Sequence, residues 1–175
     1  RKATKVLGSI KNAEGTVVID NAQEAFNFCR DWFKRTKNVD HESDLGHGKG
    51  WAAVADEYSE WVRELRWMGH GLIFIAHEKE INVEEKTRSY QRRVPRMGAS
   101  CLNIIEPFVN LQLYAHQGRD KSGKTTQFLR TKGNDQIQAG ERGDTPRLPE
   151  LIPMTYQALS DAYYANTKPT ETKGN

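Results

Sequence analysis

The sequence predicts a three-layer α/β fold, with a mostly parallel sheet between helices and an antiparallel hairpin toward the C-terminal end. Three observations carry this. Residues 16–20 and 72–76 are short apolar runs rich in β-branched side chains, the first closed by Asp20 and the second followed by His77. Continuous apolarity of this length is the pattern of strands buried on both faces. Between the runs lie two stretches with apolar residues three and four apart. The order strand, helix, helix, strand is a crossover, which makes the two strands parallel neighbours. Farther on, β-prone runs at 108–115 and 125–131 flank a polar turn, which reads as an antiparallel hairpin.

Residues 1–12 are expected to close a helix, with Val6, Leu7 and Ile10 on one side, before a turn at 12–15. Asn21 is placed to cap the first amphipathic helix, whose stripe is Ala22, Ala25, Phe26, Cys29, Trp32 and Phe33. Residues 36–50 are polar and read as a loop. The second helix runs over 51–68, with Trp51, Val54, Tyr58, Trp61, Val62, Leu65 and Met68 on one face and glycines to stop it. Residues 79–96 are charged and lack apolar periodicity. A short helix over 98–105 is ended by Pro107. Residues 132–150 read as a Gly/Pro-rich loop, 154–165 as a last helix, and 166–175 as a polar tail. The expectation is one core domain over 1–165.

A chain of 175 residues with 37% hydrophobic and 28% charged residues suits a soluble globular domain. No apolar run approaches the ~20 residues that cross a bilayer, and no signal-type apolar core comes after the basic start, so no membrane role is expected. Two cysteines, Cys29 and Cys101, make no disulfide framework, which fits a reducing cytoplasm. A net charge of +3 does not by itself argue for nucleic acid.

Residues 118–125 satisfy the phosphate-loop pattern G-x-x-x-x-G-K-[ST]. That loop needs a strand before it and a helix after it, so that backbone N–H groups and a helix N-terminus cradle phosphates. Here the pattern leads into a short β-prone run stopped by Gly133. The match therefore reads as a hairpin tip.

Asp20 ends the first apolar strand, and ligands of open α/β sheets bind outside the carboxyl ends of strands. A carboxylate there can hold Mg²⁺ through water; it can equally cap the next helix. His77 and Glu78 come after the second strand, on the same edge if the strands are parallel. There an imidazole can sense a γ-phosphate or orient water, or simply bond a neighbouring loop. Arg88, Tyr90, Arg92, Arg93 and Arg96, with Lys86, combine phosphate-pairing and base-stacking groups. They suit single-stranded nucleic acid, or a solvated hairpin balanced by Glu80, Glu84 and Glu85. Lys132, Arg142 and Arg147 are candidates to complete a neighbouring subunit's nucleotide site, or ordinary surface charge. Asp40, His41, Asp44 and His47 match no zinc spacing and read as a flexible polar loop.

The strings TVVIDNAQEAF (16–26) and GKGWAAVADEYSEWVRELRWMGHGLIFIAHEKE (48–80) resemble phage nucleotide-binding AAA/RecA-like P-loop ATPases, some of which accompany single-strand annealing proteins. Val94 to Gly98, the run 110–114 and the run 123–131 are similar to later pieces of that family, so the resemblance covers about residues 16–150. It implies a RecA-like core binding ATP and Mg²⁺, with Asp20 as the Walker B carboxylate and metal ligand and His77, beside Glu78, as the strand-end sensor. It also implies homo-oligomeric rings or filaments on single-stranded DNA, a single-strand annealing or binding protein as partner, and a host-cell cytoplasmic setting. The family's phosphate loop and catalytic carboxylate are expected ahead of Arg1, and Glu106-Pro107 departs from the family's usual approach to the next strand. Two other readings remain. One is a non-hydrolysing nucleic-acid-binding or assembly module on the same fold. The other is a metal-dependent nuclease using Asp20, Glu78 and Glu80.

Overall fold

The computed structural model describes residues 15–69, 71–120, 122–142 and 148–165. The helix expected over 1–12, the tail over 166–175 and Arg147 lie outside the described residues. The fold is mixed α/β with small sheets, and the chain divides into two compact units. The first is built on residues up to Glu78 together with Pro95–Phe108; the second on Lys79–Val94 and residues from Val109 onward.

In the first unit, β1 (Thr16–Asp20) pairs in parallel with β2 (Gly71–Ile75), from Thr16 opposite Gly71 to Asp20 opposite Ile75. The connection runs through α1 (Ala22–Lys37), a 3₁₀ turn (Glu42–Leu45) and α2 (Lys49–Trp67). Asn21 caps α1 as expected: its side chain accepts the Glu24 N–H at 2.9 Å. Basic residues in the last turn, Lys34, Arg35 and Lys37, suit the negative end of the helix dipole. The short α3 (Ala99–Ile105) comes later in the chain, and Pro107 lies in the 3₁₀ turn that ends it. Phe26, Phe33, Val54, Tyr58, Val62, Leu65, Met97, Cys101 and Ile105 form the core. Phe26 and Tyr58 meet edge to face at 5.1 Å, and the buried Tyr58 hydroxyl donates to the Ala22 carbonyl at 3.2 Å. That bond satisfies a polar group that burial would otherwise penalise.

The expected strands buried on both faces are not formed by the described residues. Val18 and Ile73 are 52% and 50% exposed, and Ile75 is exposed beside them, while Val17, Ile19, Leu72 and Phe74 are half-buried. Side chains alternate across a strand, so one face of the pair is the better covered. A continuous apolar run does not encode how many faces are covered.

The second unit is made of small sheets. β3 (Glu78–Glu84) pairs with β4 (Ser89–Pro95). The expected C-terminal hairpin is present as β6 (Tyr114–Arg119) and β7 (Thr125–Arg130), antiparallel, with β9 (Leu151–Pro153) added on β7. β5 (Leu111–Gln112) pairs antiparallel with β8 (Gly140–Glu141), and α4 (Tyr156–Ala165) closes the described chain. A mostly parallel three-layer sheet is therefore not assembled among the described residues: β1–β2 is the one parallel pair of named strands. Strands joined by a few residues can only turn back antiparallel, whereas parallel pairing needs a crossover. No helix among the described residues is long and apolar enough to cross a membrane.

The polar stretch 36–50 is not an irregular loop. Glu42 is fully buried, and its Oε1 accepts from Arg30 Nε at 2.7 Å. His41 Nε2 stands 3.5 Å from Glu42 Oε2. His41 and Asp44 close a reciprocal capping box, and Trp51 packs edge-on against His41 and under the Arg30 guanidinium. The Arg30 hydrogen bond holds the Glu42 carboxyl below its ordinary range, outweighing the opposing effect of burial. Gly50 makes this packing achievable, because a Cβ there would stand 2.1 Å from the Glu42 carbonyl oxygen.

Candidate nucleotide site

The carboxyl edge of the β1–β2 pair gathers the residues of interest. Asp20 ends β1 opposite Ile75, and the chain runs past β2 through Ala76 to His77. Parallel register thus brings Asp20 and His77 to one edge of the pair. The His77 carbonyl accepts from the Arg96 N–H at 2.7 Å, so the segment returning from β4 is tied to the same edge. Two residues later, Gly98 N–H donates to Gln23 Oε1 at 2.7 Å, which fastens the start of α3 to the first turn of α1. The Asp20–Asn21 peptide is cis.

The geometry separates the two roles open to Asp20. Capping of α1 is done by Asn21, so Asp20 is not needed for it. Its side chain is exposed and takes no hydrogen bond or ion pair among the described residues. His77 is likewise exposed. Glu78 is exposed and opens β3.

Sequence order groups Arg96 with the charged segment, but its backbone belongs to this edge. The signal that finds it is Pro95-Arg96-Met97-Gly98: proline closes β4 and Met97 enters the core, so Arg96 must lie where the hairpin rejoins the first unit.

The rest of the charged segment is an ordered hairpin. Arg88 pairs with Glu85 and Asp135 and packs over the Tyr90 ring. The Tyr90 hydroxyl donates to Glu85 at 3.0 Å, which raises the pKa of the phenol. Arg93 Nε lies 3.2 Å from Glu80, and its Nη1 donates to the Tyr114 hydroxyl at 3.0 Å. Arg92 and Arg93 are consecutive in β4, so they point to opposite faces. One flat ligand cannot meet both. Tyr90 and Arg92 share a face. Any phosphate taken by Arg88 or Arg93 must displace carboxylates, although exposed ion pairs hold only about 0–1 kcal/mol each.

Lys132 and Arg142 are exposed in the second unit. Lys132 comes after the buried Thr131, whose hydroxyl donates to the Pro149 carbonyl at 2.7 Å. The Arg142 backbone N–H donates to the Asn110 carbonyl at 2.8 Å.

The phosphate-loop pattern falls on the β6–β7 tip, as its context indicates. Asp120 Oδ1 accepts from Ser122 N–H at 2.8 Å, Ser122 Oγ at 2.6 Å and Lys124 N–H at 3.0 Å. Those bonds hold the Asp120 carboxyl below its ordinary range, the Ser122 hydroxyl contributing most. Backbone donors that a phosphate would need are thus turned onto a carboxylate, and the chain continues as a strand, not a helix. Gly123, at φ +82°, supplies the left-handed residue the tip requires.

Among the described residues no three His, Cys, Asp or Glu side chains group closely enough to hold a metal ion. This corrects the nuclease reading, since Asp20, Glu78 and Glu80 do not converge. It leaves room for Mg²⁺ of another kind. Magnesium in nucleotide sites is held by one or two carboxylates, with waters and phosphate oxygens completing the octahedron. One exposed carboxylate at a strand's carboxyl end suits that role and no all-protein cage.

Among known proteins, the profile of the family described as AAA domain matches residues 2–143. No curated protein and no solved structure matches the chain. The matched span takes in β1, β2, the edge they share and the β6–β7 hairpin. The chain belongs to the AAA domain family, as an AAA-type nucleotide-binding domain of mixed α/β structure.

Proposed function

We propose that this protein binds Mg²⁺-ATP at the β1–β2 edge and hydrolyses it, as a RecA-like phage ATPase serving DNA recombination or single-strand annealing. One observation supports the reading: Asp20 ends β1 and His77 follows β2 at the same edge of a parallel pair, inside a matched AAA domain. Mg²⁺, when bound, neutralises charge building on the β- and γ-phosphates. Asp20 would hold it through its water shell. His77 would hydrogen-bond the attacking water or the γ-phosphate. The water oxygen bonds to the γ-phosphorus as the β–γ bridge bond breaks; ADP departs with the electron pair, and the water's proton is released to phosphate or solvent. Positioning and electrostatics suffice, with no covalent enzyme intermediate. Glu78, which opens β3, would add a second acidic group near this edge. Lys132 and Arg142 would approach a neighbouring subunit's phosphates in a ring or filament. The exposed basic hairpin with Tyr90, and the order of the resembling strings, support single-stranded DNA as the polymer bound and an annealing or binding protein as partner.

A second reading has its own support. The described residues contain no phosphate cradle, because the one matching pattern is a hairpin tip closed by Asp120. A non-hydrolysing assembly module on the same fold would bind nucleic acid without turnover.

Titration of the full-length protein with a fluorescent ATP analogue, with and without Mg²⁺, tests the site. Mg²⁺ should strengthen binding in the wild type and do so far less in Asp20→Asn. A magnesium increment that survives this substitution would remove Asp20 from the site.

A further inference from the structure

The backbone of Arg96 is pinned from both directions. Its own N–H donates to the His77 carbonyl at 2.7 Å. Pro95 ends β4 just before it, and the buried Met97 just after it enters the core of the first unit. One residue farther, the Gly98 N–H donates to Gln23 in the first turn of α1. Arg96 thus leaves the chain at a point tied to the segment that carries His77 and to the helix that follows Asp20.

Its side chain is exposed and takes no hydrogen bond or ion pair among the described residues. The other arginines of this stretch differ. Arg88 and Arg93 are held by carboxylates, and Arg92 is half-buried. Of these four, Arg96 is the one with an exposed and unengaged guanidinium.

Charge balance at the edge calls for such a group. Asp20 and Glu78 bring carboxylates there, and a nucleoside triphosphate adds more negative charge. Mg²⁺ offsets part of it. A guanidinium offsets more, and its planar fork of N–H donors matches phosphate oxygens in a way an ammonium does not. We propose that Arg96 pairs with the terminal phosphate of a nucleotide held at the β1–β2 edge, so that this edge selects triphosphates over diphosphates. The assignment rests on the nucleotide reading above. It moves Arg96 out of the nucleic-acid-binding set that its sequence neighbours suggest. Arg96 belongs to the same unit as Asp20 and His77, whereas Lys132 and Arg142 belong to the other.

The test titrates the full-length protein with fluorescent ATP and ADP analogues in the presence of Mg²⁺. A labelled single-stranded oligonucleotide is titrated separately, without nucleotide, by anisotropy. The wild type should prefer the ATP analogue. Arg96→Ala should weaken ATP-analogue binding by about tenfold or more, the worth of a hydrogen bond to a charged group. It should leave ADP-analogue binding, oligonucleotide binding and the thermal melt nearly unchanged. Arg96→Lys keeps the charge and loses the fork, so it should recover part of the loss. Lys124→Ala removes a positive charge elsewhere and should change neither analogue's affinity. Equal losses for the two analogues in Arg96→Ala, or an ATP-analogue loss reproduced by Lys124→Ala, would overturn the proposal. Weakened oligonucleotide binding in Arg96→Ala would return the residue to nucleic acid and overturn it as well. The two readings fail separately. A magnesium increment that survives Asp20→Asn would overturn both. An increment lost in Asp20→Asn, beside an ATP preference retained in Arg96→Ala, would overturn the role of Arg96 alone.

Discussion

Asn21, not Asp20, caps α1: the Asn21 side chain takes the Glu24 N–H at 2.9 Å, one residue after Asp20 closes β1. Two adjacent polar residues at the same strand-to-helix corner thereby have separate tasks. Asn21 satisfies an orphan donor of the helix, and Asp20 is left at the edge with its carboxylate in solvent.

Lys124 is expected to be irrelevant to nucleotide binding, although it occupies the lysine of a phosphate-loop pattern. It lies exposed on the β6–β7 tip, where its N–H donates to Asp120. Lys124→Ala should leave ATP-analogue affinity within about twofold of wild type, whereas a phosphate-loop lysine pairs directly with the phosphates. Fluorescence titration checks it.

Glu42→Gln should destabilise the first unit by about 1–2 kcal/mol near neutral pH, the worth of a charge-assisted bond reduced to a neutral one. The pH dependence stems from the depressed carboxyl of Glu42. A carboxyl held lower in the folded than in the unfolded chain stabilises above its unfolded pKa, about 4.3. That contribution is lost as pH falls through the folded value. The wild type should therefore lose stability on acidification below about pH 4.5 more steeply than Glu42→Gln, a comparison made by urea unfolding at several pH values. Parallel acid limbs would show that Glu42 is not held in this way.

Gly50→Ala should cost about 2 kcal/mol or more, because the added methyl would meet the Glu42 carbonyl oxygen at 2.1 Å. Gly140→Ala, with nothing within 4 Å, should change stability by no more than about 0.5 kcal/mol. Urea midpoints of the two variants give the comparison.

Arg92 and Arg93 should differ in single-stranded DNA binding, since they leave β4 on opposite faces. Arg92→Ala, on the Tyr90 face, should weaken binding and flatten the salt dependence by about 0.7 in log–log slope. Arg93→Ala, engaged with Glu80 and Tyr114, should leave the slope unchanged. Equal losses would contradict a one-faced contact, and no binding at low salt would remove DNA as a partner.

Particular elements show which features are legible in sequence. β1, β2, the Asn21 cap and both long helices are local patterns, readable because apolar spacing and capping chemistry act within a turn or a strand. The β6–β7 hairpin is similarly local, and its context exposes the false phosphate loop. Other features depend on distant partners. Glu42 looks like a loop carboxylate until Arg30, twelve residues earlier, is seen against it. β9 is three residues long and contains Pro153; it exists because β7 offers an edge. The β3–β4 hairpin hides under its charge, although Tyr90, Arg92 and Val94 alternate at period two. At the candidate site, Asp20 and His77 are legible as strand ends. Arg96 is not, because its place depends on where the hairpin rejoins the first unit.

ATP turnover by Asp20→Asn, His77→Ala and the double variant of the full-length protein weighs the shared-edge claim most directly. Asp20→Asn should lose at least about 100-fold, and the double variant should lose less than the product of the single losses, as coupled neighbours do. Turnover untouched by Asp20→Asn, or losses that multiply as for independent sites, would contradict a nucleotide held between these two side chains.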